Sequence, residues 1–324
     1  MPEFAVGTTV FLRTERLCRL LESVDPEPVT TVYVADVGET EERRELYDRD
    51  WPFDLEVLDL AYDAGVSRGR RAVVKAMDES EKFLLVIDSD NTVPEDAPVL
   101  ADQLDALPDV GGIAGTLVEP ELGRVYQPAT DLTEHGDALI KSSRLRRKEV
   151  EQVAGAPFVP FDFVPNVTMF RRACLDDYCW DPEYTVHKEH IDFFVGHWKR
   201  TDWAFGVCPA VLFPHYPGGA EAYRDHRFDD EEFERLTRYF YDKWGYTDVR
   251  SPHAAWFDTH KVTDPTMGPR DLVDELPMTP ERLLASTPTR ESRSLPRRAY
   301  DVYRERGLSG LARATAAYLR RDRS

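Results

Sequence analysis

Lysine is scarce in this chain, with 8 residues among 324 against 33 arginines. Cysteine is scarcer still. The four present (Cys18, Cys174, Cys179, Cys208) show no C-x-x-C spacing, which argues against a zinc ribbon or a disulfide framework and leaves reduced packing residues. No apolar run approaches the roughly 18 residues that a membrane span needs, and no signal-peptide pattern opens the chain. Internal repeats and low-complexity tracts are missing too. Positive charge is in deficit: 41 Lys and Arg stand against 60 Asp and Glu, for a net charge of −19. A field of that sign repels a phosphate backbone and argues against a general nucleic-acid partner. The length allows one large α/β domain or two smaller ones.

What is present alternates. Residues 8–12, 31–35, 55–60, 83–87 and 110–118 read as short apolar strands. Helical patterns fall between them: Leu17, Leu20 and Leu21 on one face, residues 66–77, and residues 94–107 with Leu100, Leu104 and Leu107 inward. Strands alternating with such helices predict a Rossmann-like, mainly parallel sheet with flanking helices. From about residue 122 to 168 the pattern changes to short strands, charged stretches and prolines, as expected of a half built for a second ligand. The division predicted is a catalytic domain over 1–225, with a nucleotide-binding half (1–118) and an acceptor-binding half (119–225). A helical extension over 226–276 follows, then a Pro/Thr-rich linker and helical tail over 277–324.

The sharpest signal is Phe83-Leu84-Leu85-Val86-Ile87-Asp88-Ser89-Asp90. Five apolar residues predict a strand buried on both faces, and two aspartates follow at its C-terminal end, where open α/β sheets bind ligands. Strand alternation would point both carboxylates to one side, where one divalent cation could bridge them to a nucleotide's phosphates. A solvated acidic turn is the plain alternative. Asp36, ending the second strand, could accept a hydrogen bond from a base edge or ribose hydroxyl, or could be a helix N-cap. The acid excess with arginine in place of lysine looks like that of salt-adapted, haloarchaeal proteins, whose surfaces stay soluble where salt screens charge over about 3 Å at 1 M. An ordinary acidic cytosolic enzyme is the other reading.

Several segments then occur in a telling order: Thr9-Val10-Phe11-Leu12-Arg13, Val34-Ala35-Asp36, Asp63 through Arg71, Asp88-Ser89-Asp90, Asn166 through Arg172, Trp180-Asp181-Pro182, His190-Ile191-Asp192-Phe193-Phe194 and Gly206 through Val211. Over roughly residues 8–216 this order resembles GT-A glycosyltransferases of family 2, and more closely the beta-1,4-N-acetylgalactosaminyltransferase-like group. The resemblance implies a GT-A fold and an inverting, Mn²⁺- or Mg²⁺-dependent transfer of a sugar from a nucleotide-diphosphate donor, UDP-linked, to a glycan or lipid-linked hydroxyl.

It also implies residue roles. Arg13, Asp36, Gly65, Ser67, Arg70, Asp88 and Ser89 would line the nucleotide-sugar. Glycines allow close backbone approach there, and a helix N-terminus attracts anions. Asp88 and Asp90 would hold the metal with His215, which ends an apolar strand. Asp192, immediately before Phe193-Phe194, would be the general base, with Glu189 in reserve because residues three apart share a helix face. Ile191 stands where the commoner pattern has Glu. Phe193 and Phe194 read as core.

Two rivals remain open at this level. Asp88-Ser89-Asp90-Asn91-Thr92 also fits the haloacid-dehalogenase phosphatase pattern, with Asp88 as nucleophile and Mg²⁺ bound. A catalytically inactive nucleotide-sugar or glycan-binding module is the other. The tail, residues 291–324, carries nine Arg and four acids, with Leu308, Leu311, Ala312, Thr315, Tyr318 and Leu319 at helical spacing. A basic amphipathic helix predicts peripheral contact with the cytoplasmic membrane face, and packing on the protein's own acidic surface is the alternative.

Overall fold

The computed structural model describes residues 2–142, 150–219, 223, 229–251 and 257–260, all within one compact unit that spans residues 1–283. The linker and basic tail expected over 277–324 lie outside the described residues.

Strands β1 (Phe4–Val10), β2 (Val29–Asp36), β3 (Asp54–Asp59) and β4 (Phe83–Ile87) alternate with helices α1 (Thr14–Glu22), α2 (Arg44–Tyr47) and α3 (Val66–Ala76); α4 (Pro98–Ala106) leads to β5 (Val110–Glu119). Most of these elements lie close to the sequence expectations because their periodicity is strong, but β1 begins four residues before the strand expected over 8–12 and ends at Val10, ahead of Leu12 at φ +49°. Leu17, Leu20 and Leu21 form the buried stripe of α1, and β4 is buried at every residue. The second half opens with short strands β6 (Arg124–Gln127), β7 (Asp131–His135), β8 (Ala138–Ser142), β9 (Glu151–Val153), β10 (Ala156–Pro160) and β11 (Val167–Arg171). Then come α5 (Arg172–Asp177), α6 (Glu189–Arg200), the long β12 (Ala204–Pro214), α7 (Asp230–Trp244), β13 (Asp248–Arg250) and β14 (Phe257–His260). Helix α7 is well specified locally. The Asp229 side chain accepts from the Glu231 and Glu232 amides, and Gly245 closes the helix in the left-handed conformation.

The main sheet has 11 strands in the order β3-β2-β1-β4-β11-β5-β12-β10-β9, with β6 and β14 attached beside β5. Pairing is parallel through β3-β2-β1-β4 and between β5 and β12, and antiparallel elsewhere. Because β11 runs opposite to both β4 and β5, the strands β1 to β5 and β12 all point the same way. Their C-terminal ends therefore share one edge of the sheet. The chain builds β1, β2 and β3 outward on one side and then crosses to place β4 on the other flank of β1. That reversal opens a crevice between β1 and β4, the place where open α/β sheets take their ligands. The two halves are interleaved, since β11 from the second lies between β4 and β5 of the first. A separate three-stranded sheet joins β13, β8 and β7.

Candidate active site

The shared sheet edge collects the chemistry. Arg13 follows β1, Asp36 ends β2, Asp88 to Asn91 follow β4, Glu119 ends β5, and His215 follows β12. Asn166 immediately precedes the antiparallel β11, so it reaches the same edge beside Asp88.

Asp88 and Asp90 do not continue the strand. The Asn91 amide bonds back to the Asp88 carbonyl at 3.0 Å, so residues 88–91 form a turn. The alternation expected to point both carboxylates to one side does not apply, and the two engage different partners. Asp88 accepts from Arg70 Nη2 at 2.8 Å through Oδ1 and from Asn166 Nδ2 at 3.3 Å through Oδ2, while its side chain stays 34% exposed. Asp90 is buried. Its Oδ2 accepts from Arg13 Nη1 and lies 3.5 Å from His215 Nε2. The other ring nitrogen, Nδ1, lies 2.9 Å from Glu119 Oε1, and Glu119 accepts in turn from Arg124 at 3.2 Å.

The backbone ties His215 into place. Its amide bonds the Val118 carbonyl at 2.7 Å, and the next amide, of Tyr216, bonds the Asp90 carbonyl at 2.8 Å. Burial by itself would lower the His215 pKa, but hydrogen bonds to Asp90 and Glu119 override it and lift it to about 9. Burial would raise the Asp90 carboxyl, and the hydrogen bond to His215 and the charge of Arg13 bring it below the ordinary carboxylate range.

Among the described residues no group of three or more His, Cys, Asp and Glu side chains forms a metal cage. The convergent pair Asp90–His215 still fits a cation that takes its other ligands from phosphate oxygens and water. An imidazole beside a carboxylate is taken more readily by a Mn²⁺-type ion than by Mg²⁺, which keeps to oxygen ligands. Glu119 orients the imidazole through its second nitrogen, the arrangement that fixes metal-binding histidines. Asp88 is drawn away from this pair, toward Arg70 and Asn166.

Polar atoms around this edge also find no hydrogen-bond partner among the described residues. Arg13 Nε, Ser67 Oγ, Arg70 Nη1, Ser89 Oγ and Asn91 Oδ1 are buried with no hydrogen-bond partner. A buried unpaired polar group costs about 1–3 kcal/mol, and Arg13 and Arg70 each carry such an atom while another of their nitrogens bonds Asp90 or Asp88. Ser67 and Arg70 lie in the first turns of α3, which points its N-terminus at this edge. Two glycines there serve packing. Gly65, at φ +92°, would bring a Cβ to 2.5 Å from Thr185 Cα, and one at Gly69 would meet Thr9 at 2.5 Å. The first free amide of α3, of Val66, is taken by the Thr185 carbonyl at 2.7 Å. Gly65 therefore seats the 182–188 loop and is not a bare phosphate cradle, which corrects its sequence reading.

Two further expectations change. Asp36 is fully buried and saturated. Arg43 Nη1 donates to both oxygens at 2.7 and 2.9 Å, Tyr47 donates at 2.6 Å, and the Gly38 amide at 2.9 Å. No acceptor position remains for a nucleotide, so the carboxylate organises the 37–47 segment instead. Burial, followed by Asp36, pushes the Tyr47 hydroxyl pKa far up. Tyr47→Phe should cost about 1.5–3 kcal/mol of stability, since the lost bond is to a buried charge, and leave UDP affinity unchanged. Urea unfolding and UDP titration of the same variant check both halves.

Asp192 is likewise enclosed, at 0% exposure. Lys243 Nζ sits 2.8 Å from Oδ1 and 2.9 Å from Oδ2. Trp244 Nε1 donates at 2.7 Å, Tyr184 at 3.0 Å and Tyr178 at 3.2 Å. Four side chains, two of them from α7, fill its acceptor capacity. A general base needs an oxygen open to the acceptor hydroxyl, and Asp192 has none. The geometry is that of a structural carboxylate joining α6 to α7. Glu189 is the first residue of α6. Because α6 leads to β12, which begins at the far edge of the sheet, the N-terminus of α6 faces the site edge. His190 beside it contacts the Val164 carbonyl at 2.7 Å, close to Asn166. Phe193 and Phe194 are wholly buried, as core residues.

The sequence assigns no role to Glu119 or Arg124, and Asn166 only opens one of the segments that carry the resemblance. Glu119 left one signal, the single acid at the end of a strand that is buried throughout.

The strand order and the edge geometry define a GT-A fold. Among solved structures, GalNAc-T7 with UDP, GalNAc and Mn²⁺ superposes with a TM-score of 0.52 at 9% identity, over 76% of this chain and 55% of that one. S. aureus TarS 1–349 in complex with UDP-GlcNAc gives 0.49 at 15% identity, over 74% of this chain and 66% of that one. A longer S. aureus TarS structure gives 0.45 at 15% identity, with 39% of its length covered. The chain thus spans less than two thirds of each. No protein-family model and no curated protein matches the sequence. The phosphatase alternative loses its footing here. Its supposed nucleophile Asp88 lies in the turn after β4, where Arg70 and Asn166 already donate to its two carboxylate oxygens.

Proposed function

We propose that this protein is a metal-dependent, inverting glycosyltransferase that moves a sugar from a nucleotide-diphosphate donor, UDP-linked, to a hydroxyl of a glycan or lipid-linked acceptor. The observation that carries this is the convergence of Asp90, His215, Asp88 and Arg70 at the β1/β4 crevice, beside the unpaired buried nitrogens of Arg13 and Arg70. Asp90 and His215 would hold Mn²⁺ or Mg²⁺, which would neutralise charge on the departing diphosphate. Arg70 and Asn166 fix Asp88 with part of its surface open, suited to accept from a donor hydroxyl. Arg13, Ser67 and Ser89 supply further polar contacts along the crevice.

Glu189 takes the proton of the acceptor hydroxyl as its oxygen attacks the anomeric carbon. The bond from that carbon to the diphosphate oxygen breaks with inversion. Glu189→Gln keeps the shape and removes the proton acceptor. It should lower turnover by roughly 10²–10⁴-fold with donor affinity nearly unchanged. The direct test is a panel of nucleotide sugars scored for hydrolysis and thermal stabilisation with and without Mn²⁺, in molar salt as the acidic, arginine-rich composition suggests. Product that keeps the donor's anomeric configuration, or full turnover in Glu189→Gln, removes the general-base step. Tight donor binding with no turnover on any acceptor would favour the inactive binding module.

A lipid-linked acceptor gives the basic tail a purpose. No described helix is long and apolar enough to cross a membrane. Peripheral contact at the cytoplasmic face would rest on the apolar stripe of residues 308–319, with the charge term fading in salt. Deleting residues 294–324 should then release the protein from anionic vesicles in flotation and leave donor hydrolysis almost intact. Packing on the body predicts the reverse, with no flotation at any salt and a clear fall in melting temperature.

A further inference from the structure

We propose that Arg13 is the resident counter-cation of the metal site, which a divalent ion must displace, so that metal and diphosphate bind as a coupled pair. It rests on the assignment of Asp90 and His215 as metal-holding residues. Arg13 Nη1 binds Asp90 Oδ2, the same oxygen that lies 3.5 Å from His215 Nε2. A cation entering between Asp90 and His215 therefore competes with the guanidinium for one atom. The site is nearly dry on both sides, with the Arg13 side chain 11% and the Asp90 side chain 9% exposed, so the two positive charges would repel with little screening.

The guanidinium is also poised to leave. Its plane lies over the Tyr223 ring at 4.4 Å, and its Nε is buried without a hydrogen-bond partner. Most of its planar donor fork is thus unspent on Asp90, and a fork of that shape matches phosphate oxygens. The backbone that delivers it is strained. Leu12, immediately before Arg13, sits at φ +49°, a conformation that a leucine adopts only when its surroundings impose it. Moving Arg13 from the carboxylate onto a diphosphate frees Asp90 for the metal and supplies the anion that lets both cations stay. Each ligand then raises the other's affinity by the same factor, as linkage requires.

The test is Mn²⁺ binding to the full chain in molar KCl, followed by the electron paramagnetic resonance of the free ion, with and without UDP. The wild type should bind Mn²⁺ weakly alone, and UDP should tighten it by roughly 5- to 150-fold, the usual span of such coupling. Arg13→Gln should bind Mn²⁺ alone more tightly than the wild type and show a smaller UDP effect. Arg13→Gln no tighter than wild type for Mn²⁺ alone would overturn the displacement. So would wild-type affinity that UDP leaves unchanged, which needs no variant to fold. Asp90→Asn separates the two levels. If it abolishes Mn²⁺ binding while Arg13→Gln changes nothing, only the counter-cation idea fails; if Asp90→Asn binds Mn²⁺ with UDP as the wild type does, the metal site itself is misplaced.

Discussion

Asp192→Ala should lower the unfolding free energy by about 3–5 kcal/mol, the usual cost of removing one partner from a buried ion pair. The carboxylate on α6 is held by two consecutive residues of α7. Lys243 and Trp244 reach it from α7, and Tyr178 and Tyr184 from the segment before α6. Without it, three donors lose their acceptor, and Lys243 keeps Asp181 at 2.7 Å and the Tyr178 hydroxyl at 3.3 Å. Equilibrium unfolding in urea at fixed molar KCl reads the loss, and donor affinity of the folded fraction should stay near the wild-type value. A variant with unchanged stability and abolished turnover would return the general-base role to Asp192 and require this cage to open in the working enzyme.

Asp90→Asn should remove metal-dependent donor binding while the sheet stays folded. Asparagine matches aspartate in shape, so packing after β4 is kept. What goes is the negative charge that His215 and Arg13 converge upon. At a UDP concentration a hundredfold above its dissociation constant, with Mn²⁺ present, the wild type should gain about 2.7 kcal/mol of stability. The variant should gain almost none, and chelating the metal should make the two proteins alike. Equal gains in both, with Mn²⁺, would show that the metal is held elsewhere.

Where the sequence was informative, a physical reason is visible. Phe83 to Ile87 has no polar residue and only five positions, which fits a strand covered on both faces better than a helix. Leu17, Leu20 and Leu21 fit only one helical phase. Asp88, Asp90 and His215 were legible because each follows an apolar run, and runs of that kind end at the ligand edge of an α/β sheet. The carboxylates that went wrong did so for a shared reason. Whether Asp36 or Asp192 is open depends on donors remote from it in sequence or in kind. Arg43 and Tyr47 reach Asp36 across a short helix, and Lys243 and Trp244 reach Asp192 from about fifty residues away. Local spacing carries no record of such partners. Glu119 was hidden in the same way, for its link to His215 spans 96 residues. The aspartate pair itself misled on one point. Its residues leave the strand for a turn, and strand parity then says nothing about where they face.

The position of β11 bears on how the chain reaches this state. Its five residues, 167–171, zip β4 to β5, although β4 is complete by residue 87 and β5 by 119. A nascent chain that has emerged only as far as β5 therefore holds two strands, buried throughout in the folded sheet, with no neighbour between them. Closing that gap requires a long-range pairing, of the slow kind that leaves unpaired edges open to other chains meanwhile. A fragment ending near residue 118 would carry its β4 edge permanently bare. Residues 1–118 are consequently a region of the sheet and not an autonomous folding unit, and expression of that segment alone would favour aggregation over a soluble domain.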